Sequence, residues 1–287
     1  MAKYLDRPDL PKALINILTA DLHVTEGKLS VTGLTAPPRI MQLRKRHDAE
    51  IVKDPLDNIW MTYGTLMHGV LEREAGDNAL AEERLVAEVD GFKFSGTADI
   101  YENEVLWDYK TTSAYGAGEI AGRYEAQLNI YRWLYEQQGF KVNSLKILAL
   151  YRDWSKTKAM RDDRYPQEPV QVIDVAMWTM DDALQYIRER IAFHTKAEGL
   201  QDSELPECTA EEKWEKPAKW AVMKKGRKSA LKLHDSEFEA QIQLDGIEKD
   251  ADKHYIEHRP GECIRCKSYC EVWQWCLTGQ KIHKEEK

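Results

Sequence analysis

RLVAEVDGFKFSGTADIYENEVLWDYKTT, residues 84–112, decides the fold. Apolar and polar residues alternate on both sides of Asp90-Gly91, a dipeptide that tolerates the two positive φ angles of a tight hairpin turn. A second turn at Glu102-Asn103 leads into another strand-like run, NEVLWDYKTTS. Side chains alternate across a strand, so Asp108 and Lys110 share one face while Trp107 and Tyr109 take the other. Asp99 ends the preceding strand. Two carboxylates from adjacent strands suit a hard divalent cation such as magnesium. A neighbouring lysine can orient a water or stabilise charge on a phosphate. Taken alone the pattern is loose, because a solvated charged face is spelled the same way.

Outward from this segment the chain alternates between helix and strand. Residues 60–76, WMTYGTLMHGVLEREAG, carry an apolar stripe of Leu66, Val70 and Leu71 and stop near Gly76, as a helix does. His68 and Glu72 share a neighbouring face of it. Residues 118–139 predict a long helix closed by Gly139, with Gln127 and Tyr131 on one face. SLKILALYRD, residues 144–153, reads as a central strand. Residues 154–168 read as a polar loop, 169–177 as another strand and 179–199 as an amphipathic helix. This order predicts an α/β core with a mixed sheet flanked by helices. Residues 1–58 form an N-terminal segment with a basic stretch, Arg44 to His47, behind Pro37-Pro38. Residues 59–200 are the core. Residues 201–287 form a charged, Trp-rich, Cys-rich and partly helical extension, with 235–256 expected to be helical. Glu83, in a charged run, reads as a surface residue, and Glu72 is open to either reading.

The 287 residues include 41 Lys and Arg against 49 Asp and Glu, a net charge of −8 that argues against a uniformly basic nucleic-acid coat. It leaves room for local basic patches and metal ions. Hydrophobic residues at 43% and charged ones at 31% are ordinary for a folded soluble chain and exclude disorder throughout. No apolar run approaches the roughly 18–20 residues of a membrane span. The N-terminus lacks the apolar stretch of a secretory signal, so a cytoplasmic location is expected.

Four segments together carry a family resemblance: GTLMH at 64–68, GTADI at 96–100, WDYKTT at 107–112 and QLNIY at 127–131. In this order and spacing the chain resembles the PD-(D/E)xK nuclease superfamily, within it the RecB-like exonuclease branch. The resemblance covers about residues 60–150. It implies a restriction-endonuclease-like core and a magnesium- or manganese-dependent DNA nuclease. The expected activity is exonucleolytic, on DNA ends or single strands, in recombination or DNA processing in a bacterium or phage. It also implies roles. Asp99 and Asp108 would be metal ligands, with His68 and the Tyr109 carbonyl completing the set. Lys110 would position or activate the attacking water. Gln127 and Tyr131 would contact DNA or support Lys110. There is no Walker-type phosphate loop, so a helicase or single-strand-annealing partner is compatible with the chain, as is an oligomer. Two alternatives stand beside this reading: a nuclease of the CRISPR-adaptation type, and a catalytically inactive nucleic-acid-binding module with a structural metal centre.

The tail reads Cys263-x2-Cys266-x3-Cys270-x5-Cys276. In a reducing compartment such a cluster favours metal over disulfides. One ligand set takes these four. The other takes Cys208 with Cys266, Cys270 and Cys276 and leaves Cys263 out. Several RecB-like nucleases hold a [4Fe–4S] cluster with one distant cysteine and three near the C-terminus, and the Cys270-x5-Cys276 ending resembles theirs. In those proteins the distant cysteine precedes the core, whereas Cys208 follows it. The set with Cys208 is preferred, and zinc is the alternative metal. Four thiolates would close the site, making it structural. Finally, Lys224, Lys225, Arg227 and Lys228, downstream of Trp214 and Trp220, suit phosphate contacts and base stacking. A solvated basic face with two core tryptophans is the equal alternative.

Overall fold

The computed structural model describes residues 3–20, 28–76, 79–81, 83–248 and 251–285. They divide into two compact units. The first holds residues 1–41 and 48–200, the second 42–47 and 201–287. The elements of the first unit that matter below are β1 (Leu29–Ser30), α1 (Val31–Thr35), the start of α2 (Pro38–His47), α3 (Ile59–Arg73), β2 (Leu80–Ala81), β3 (Arg84–Val89), β4 (Phe92–Thr97), β5 (Ile100–Glu102), β6 (Val105–Thr112), α4 (Ile120–Gln137), β7 (Ser144–Tyr151), β8 (Val170–Val175) and α5 (Met180–Glu198).

The α/β core expected from the sequence is present, and its principal sheet is mixed. The strand order is β8-β7-β6-β5-β2, with β6 and β7 parallel and the other pairs antiparallel. A second sheet has the order β1-β4-β3. The turn between β3 and β4 takes Asp90 at φ 51° and Gly91 at φ 79°, both left-handed as the tight hairpin demands. The turn into β6 places Asn103 and Glu104 at φ 52° and 62°. Glu104 is anchored there: its carbonyl accepts from the Asn143 amide at 2.7 Å and its carboxylate from Lys141 at 3.1 Å.

Parallel strands need a long crossover, and α4 supplies it between β6 and β7. Gly139, at φ 85°, ends this helix with the Phe140 amide bonded back to the Tyr135 carbonyl at 3.1 Å. β7 alternates strictly, burying Leu145, Ile147, Ala149 and Tyr151. These pack with Leu128, Ile130, Leu134 and Tyr135 of α4 in one apolar core. The N-terminal segment adds to it: Val31 and Leu34 of α1 are fully buried there. Gly96 of β4 marks the tightest approach. A Cβ at this position would lie 2.6 Å from Val31, 2.7 Å from Leu134 and 2.9 Å from Tyr131.

In the second unit, β9 (Glu215–Lys216), β10 (Lys219–Lys224), β11 (Lys232–His234), α6 (Glu237–Asp245), β12 (His254–Arg259), β13 (Glu262–Cys263) and α7 (Leu277–Glu285) follow in order. β10 is central between β11 and β12, all antiparallel, and β9 pairs with β13. The helix expected over 235–256 is shorter than its composition suggested. It stops at Gly246, and 254–259 is a strand paired along β10. Cross-strand pairing overrides a helix-compatible local sequence here. The basic stretch of α2 is internally paired: Arg46 and His47 both reach Asp202 at 2.7 Å, and Arg44 pairs with Glu271. Among the described residues no helix is long and apolar enough to cross a membrane.

Candidate active site and cysteine cluster

The register of β5 against β6 brings the acidic residues together. Ile100 sits opposite Trp107, so Asp99 arrives beside the middle of β6. Its Oδ2 accepts the Tyr109 backbone N–H at 2.5 Å, and its Oδ1 lies 3.3 Å from His68 Nδ1 of α3. The other ring nitrogen of His68 is 2.8 Å from the Tyr109 carbonyl, and the Tyr109 ring meets the imidazole edge-on at 6.0 Å. His68, Asp99 and the Tyr109 peptide therefore form one closed set. Burial opposes the charged form of His68, but the Asp99 carboxylate more than offsets it and the pKa rises.

Asp108 and Lys110 do share a face of β6. Lys110 Nζ is 2.6 Å from Asp108 Oδ2, and Asp108 is only 3% exposed. Burial pushes the Asp108 carboxyl up to about 6, against the pull of Lys110. Burial would lower Lys110, but Asp108 and Asp99 outweigh it and hold its pKa above the usual lysine value. The Lys110 ammonium also lies 4.6 Å above the ring of Tyr124 on α4. Tyr131 is buried nearby and its phenol is pushed up to about 12 by that burial. Gln127 donates to the Tyr131 hydroxyl at 3.0 Å and to Thr32 at 3.4 Å. Its hydrogen bonds thus go to these two residues and not to Lys110. Glu72 and Glu83 are exposed.

Sequence reasoning missed Tyr124 and Thr32. Tyr124 stands three residues before Gln127 on the same helical face, a spacing that could have pointed to it. Thr32 left no local signal, because a segment 95 residues away in sequence delivers it. A recess of about 480 Å³, lined by Ala117, Gly118 and residues 163–168 among others, contains none of these site residues.

As the side chains stand, no three His, Cys, Asp or Glu groups among the described residues are gathered closely enough to hold one ion between them. The donor chemistry nevertheless fits a hard divalent cation: Asp108 Oδ2 is buried beside Lys110 without an aligned hydrogen-bond donor, and the Asp99 carboxylate and the Tyr109 carbonyl are both within reach of the His68 ring.

In the second unit all five cysteines are free thiols, with Cys266 and Cys276 buried. Burial pushes Cys208 up to about 12, and Glu212, Cys276, Cys266 and Cys270 add to the shift. Cys266 rises to about 11 for the same first reason, helped by Cys270, Cys263 and Cys276. Cys270 is also raised by burial. The neutral form of Cys208, Cys266 and Cys270 is thus favoured, the condition that a shared soft cation would reverse. Trp273 stacks on His283 at 3.9 Å, and His283 in turn lies 3.2 Å from the Cys266 carbonyl. The basic residues run from the end of β10 into the loop before β11: Lys224 closes the strand, partly exposed, and Lys225, Arg227 and Lys228 are exposed in the loop around Gly226 at φ 82°. Trp214 is packed with Tyr269 at 5.5 Å and under Arg265 at 5.4 Å, and Trp220 with His258 at 4.9 Å.

No family model matches the chain, and no curated protein matches it in sequence. Solved structures do resemble it. The crystal structure of SSO0001 is 19% identical with a TM-score of 0.44, over 64% of this chain and 86% of that one. A phage-related exonuclease from Haemophilus somnus is 15% identical with a TM-score of 0.29, over 56% of this chain and 70% of that one. A proposed exonuclease from Eubacterium rectale is 12% identical with a TM-score of 0.33, over 54% of this chain and 60% of that one.

Proposed function

We propose that this chain is a magnesium- or manganese-dependent deoxyribonuclease that hydrolyses phosphodiester bonds, acting as an exonuclease on DNA ends or single strands in recombination or DNA processing. The single observation that carries the reading is the buried Asp108–Lys110 pair on one face of β6, with Asp99 set against the Tyr109 peptide of the same strand. Asp99, Asp108 and the Tyr109 carbonyl would hold the cation, with His68 beside them. Such an ion supplies positive charge to the phosphate and lowers the pKa of a bound water. Lys110 would orient the attacking water and balance charge on the phosphate. Tyr124 and Tyr131 wall the lysine in, and Gln127 braces Tyr131.

The four-thiol centre belongs to the same proposal, as a [4Fe–4S] cluster or zinc. Cys276, Cys266 and Cys270 act on Cys208, and Cys270, Cys263 and Cys276 act on Cys266, so the thiols of both ligand sets lie within electrostatic reach of one another. Four cysteines would leave no open position, so its role would be structural. The Lys224–Lys228 loop would contact DNA phosphates.

The test is a time course on end-labelled single- and double-stranded DNA, with magnesium or with a chelator, for wild type and Lys110→Ala. We expect metal-dependent loss of DNA by the wild type alone, with a product ladder that reports polarity. No cleavage of linear or circular DNA with either magnesium or manganese would overturn the reading.

A further inference from the structure

Two exposed aromatic rings stand where β6 and β7 end. The two strands run parallel and are tied at that end by the Arg152 amide, which donates to the Thr112 carbonyl at 3.0 Å. Thr112 is two residues beyond Lys110, about 7 Å along the strand. The Arg152 guanidinium lies 4.6 Å over the ring of Trp60, which is 57% exposed at the start of α3. The next residue, Asp153, pins the neighbouring loop by accepting from Ser113 Oγ at 2.6 Å and the Ala114 amide at 2.7 Å. That loop presents Tyr115, 69% exposed. Lys158 donates to the Tyr115 hydroxyl and lies 4.8 Å from the ring centre, while the buried ring of Tyr165 meets Tyr115 edge-on at 5.8 Å. Each large ring is thus more than half exposed, has a cation within 5 Å of its centre and meets a neighbouring tyrosine edge-on, Tyr63 at 6.4 Å for Trp60 and Tyr165 for Tyr115.

At 57% and 69% exposure, Trp60 and Tyr115 offer solvent a large aromatic surface on which a planar group can stack. A purely apolar partner would meet Arg152 and Lys158 and have to desolvate them. A strand of unpaired nucleotides satisfies both features at once, because bases stack on rings and phosphates pair with the cations. A fully paired duplex offers its phosphates but no free base face. We propose that Trp60–Arg152 and Tyr115–Lys158 form a stacking track for unpaired nucleotides leading to the β6 site, so that the substrate strand is single-stranded over this stretch. That the track delivers its strand for cleavage rests on the nuclease reading. Its capture of unpaired nucleotides is a matter of binding alone.

The test separates the two. Anisotropy is measured with a fluorescein-labelled oligo(dT) and with a blunt duplex of the same length, in chelator, using the full chain. Trp60→Ala should weaken oligo(dT) binding by about fivefold or more, the lower end of one lost base stack. Adding Tyr115→Ala should multiply the loss. Trp60→Phe should restore most of the binding, and the duplex should change less than about twofold. Arg152→Gln should flatten the salt dependence for oligo(dT) by roughly 0.7 in slope, the share of one phosphate contact on a single strand. If the wild type cuts DNA while the double variant binds oligo(dT) and cuts like wild type, the track is overturned and the nuclease reading stands. If the wild type cuts nothing yet the variants lose oligo(dT) selectively, the track stands and the nuclease reading falls. Unchanged DNA binding in both variants, together with self-association of the wild type that Trp60→Ala abolishes, would overturn the track in favour of a protein-docking face.

Discussion

The acidic hairpin and the cysteine tail both gather ionisable side chains, and they do so by opposite means. In the hairpin, sheet register places Asp99, Asp108 and Lys110, α3 adds His68, and the charges are already matched. Asp108 is paired with Lys110, and Asp99 is engaged by His68 and a backbone amide. In the tail, the thiols are carried by short turns and a two-residue strand, and burial together with neighbouring thiols raises the pKa of Cys266 and Cys270. A site built on strands can hold its shape before a ligand arrives. A site built on turns depends on what binds there.

The largest expected effect follows from that dependence. Stripping the metal from the purified full chain, or changing Cys276 to Ser, should abolish iron or zinc content and render residues 201–287 sensitive to limited proteolysis. Structural zinc contributes about 10–16 kcal/mol of apparent folding free energy in small peptides, comparable to a whole domain's usual margin. Cys263→Ser should keep the metal if Cys208 is the fourth ligand. Protease resistance that survives complete loss of metal would erase the contrast between the two regions.

The hairpin should instead break through its own charges. Asp108→Ala leaves the Lys110 ammonium buried and unpaired, so unfolding should become easier by about 3–5 kcal/mol in a denaturant titration. A loss below about 1 kcal/mol would mean that water reaches the pair. Gly96→Ala should cost about 1–3 kcal/mol by overpacking, since its Cβ would press on Val31, Leu134 and Tyr131. A neutral result there would show that α4 can shift away from the sheet. The smallest change concerns the loop of the second unit. Replacing Lys224, Lys225, Arg227 and Lys228 by Ala should weaken DNA binding and flatten its salt dependence without altering the melting temperature. An unchanged slope would leave that loop as a solvated face.

Much of the hairpin was legible because a strand has a period of two and a tight turn has a narrow vocabulary. Asp90-Gly91 marked the turn, and the spacing of Asp108 and Lys110 marked the shared face. What local pattern could not supply were partners brought from elsewhere. Nothing near Gln127 names Thr32, and nothing near Lys110 names the Tyr124 ring beneath it. The bond between His68 and the Tyr109 carbonyl joins two groups that family resemblance assigned to a common ion, and only the packing of α3 against β6 reveals their mutual contact. The overextended helix at 235–256 failed for a related reason: the strand at its end exists only because β10 is there to pair with it.

The membership of Gln42–His47 in the second unit has a consequence for biosynthesis. Arg46 and His47 find Asp202, which lies 156 and 155 residues later in the chain. At about 5–20 residues per second, translation separates these partners by on the order of ten seconds. The first unit has its whole sheet through Val175 before the ribosome supplies Asp202. Folding on the ribosome is therefore expected to be sequential, with the cysteine-bearing unit last to close.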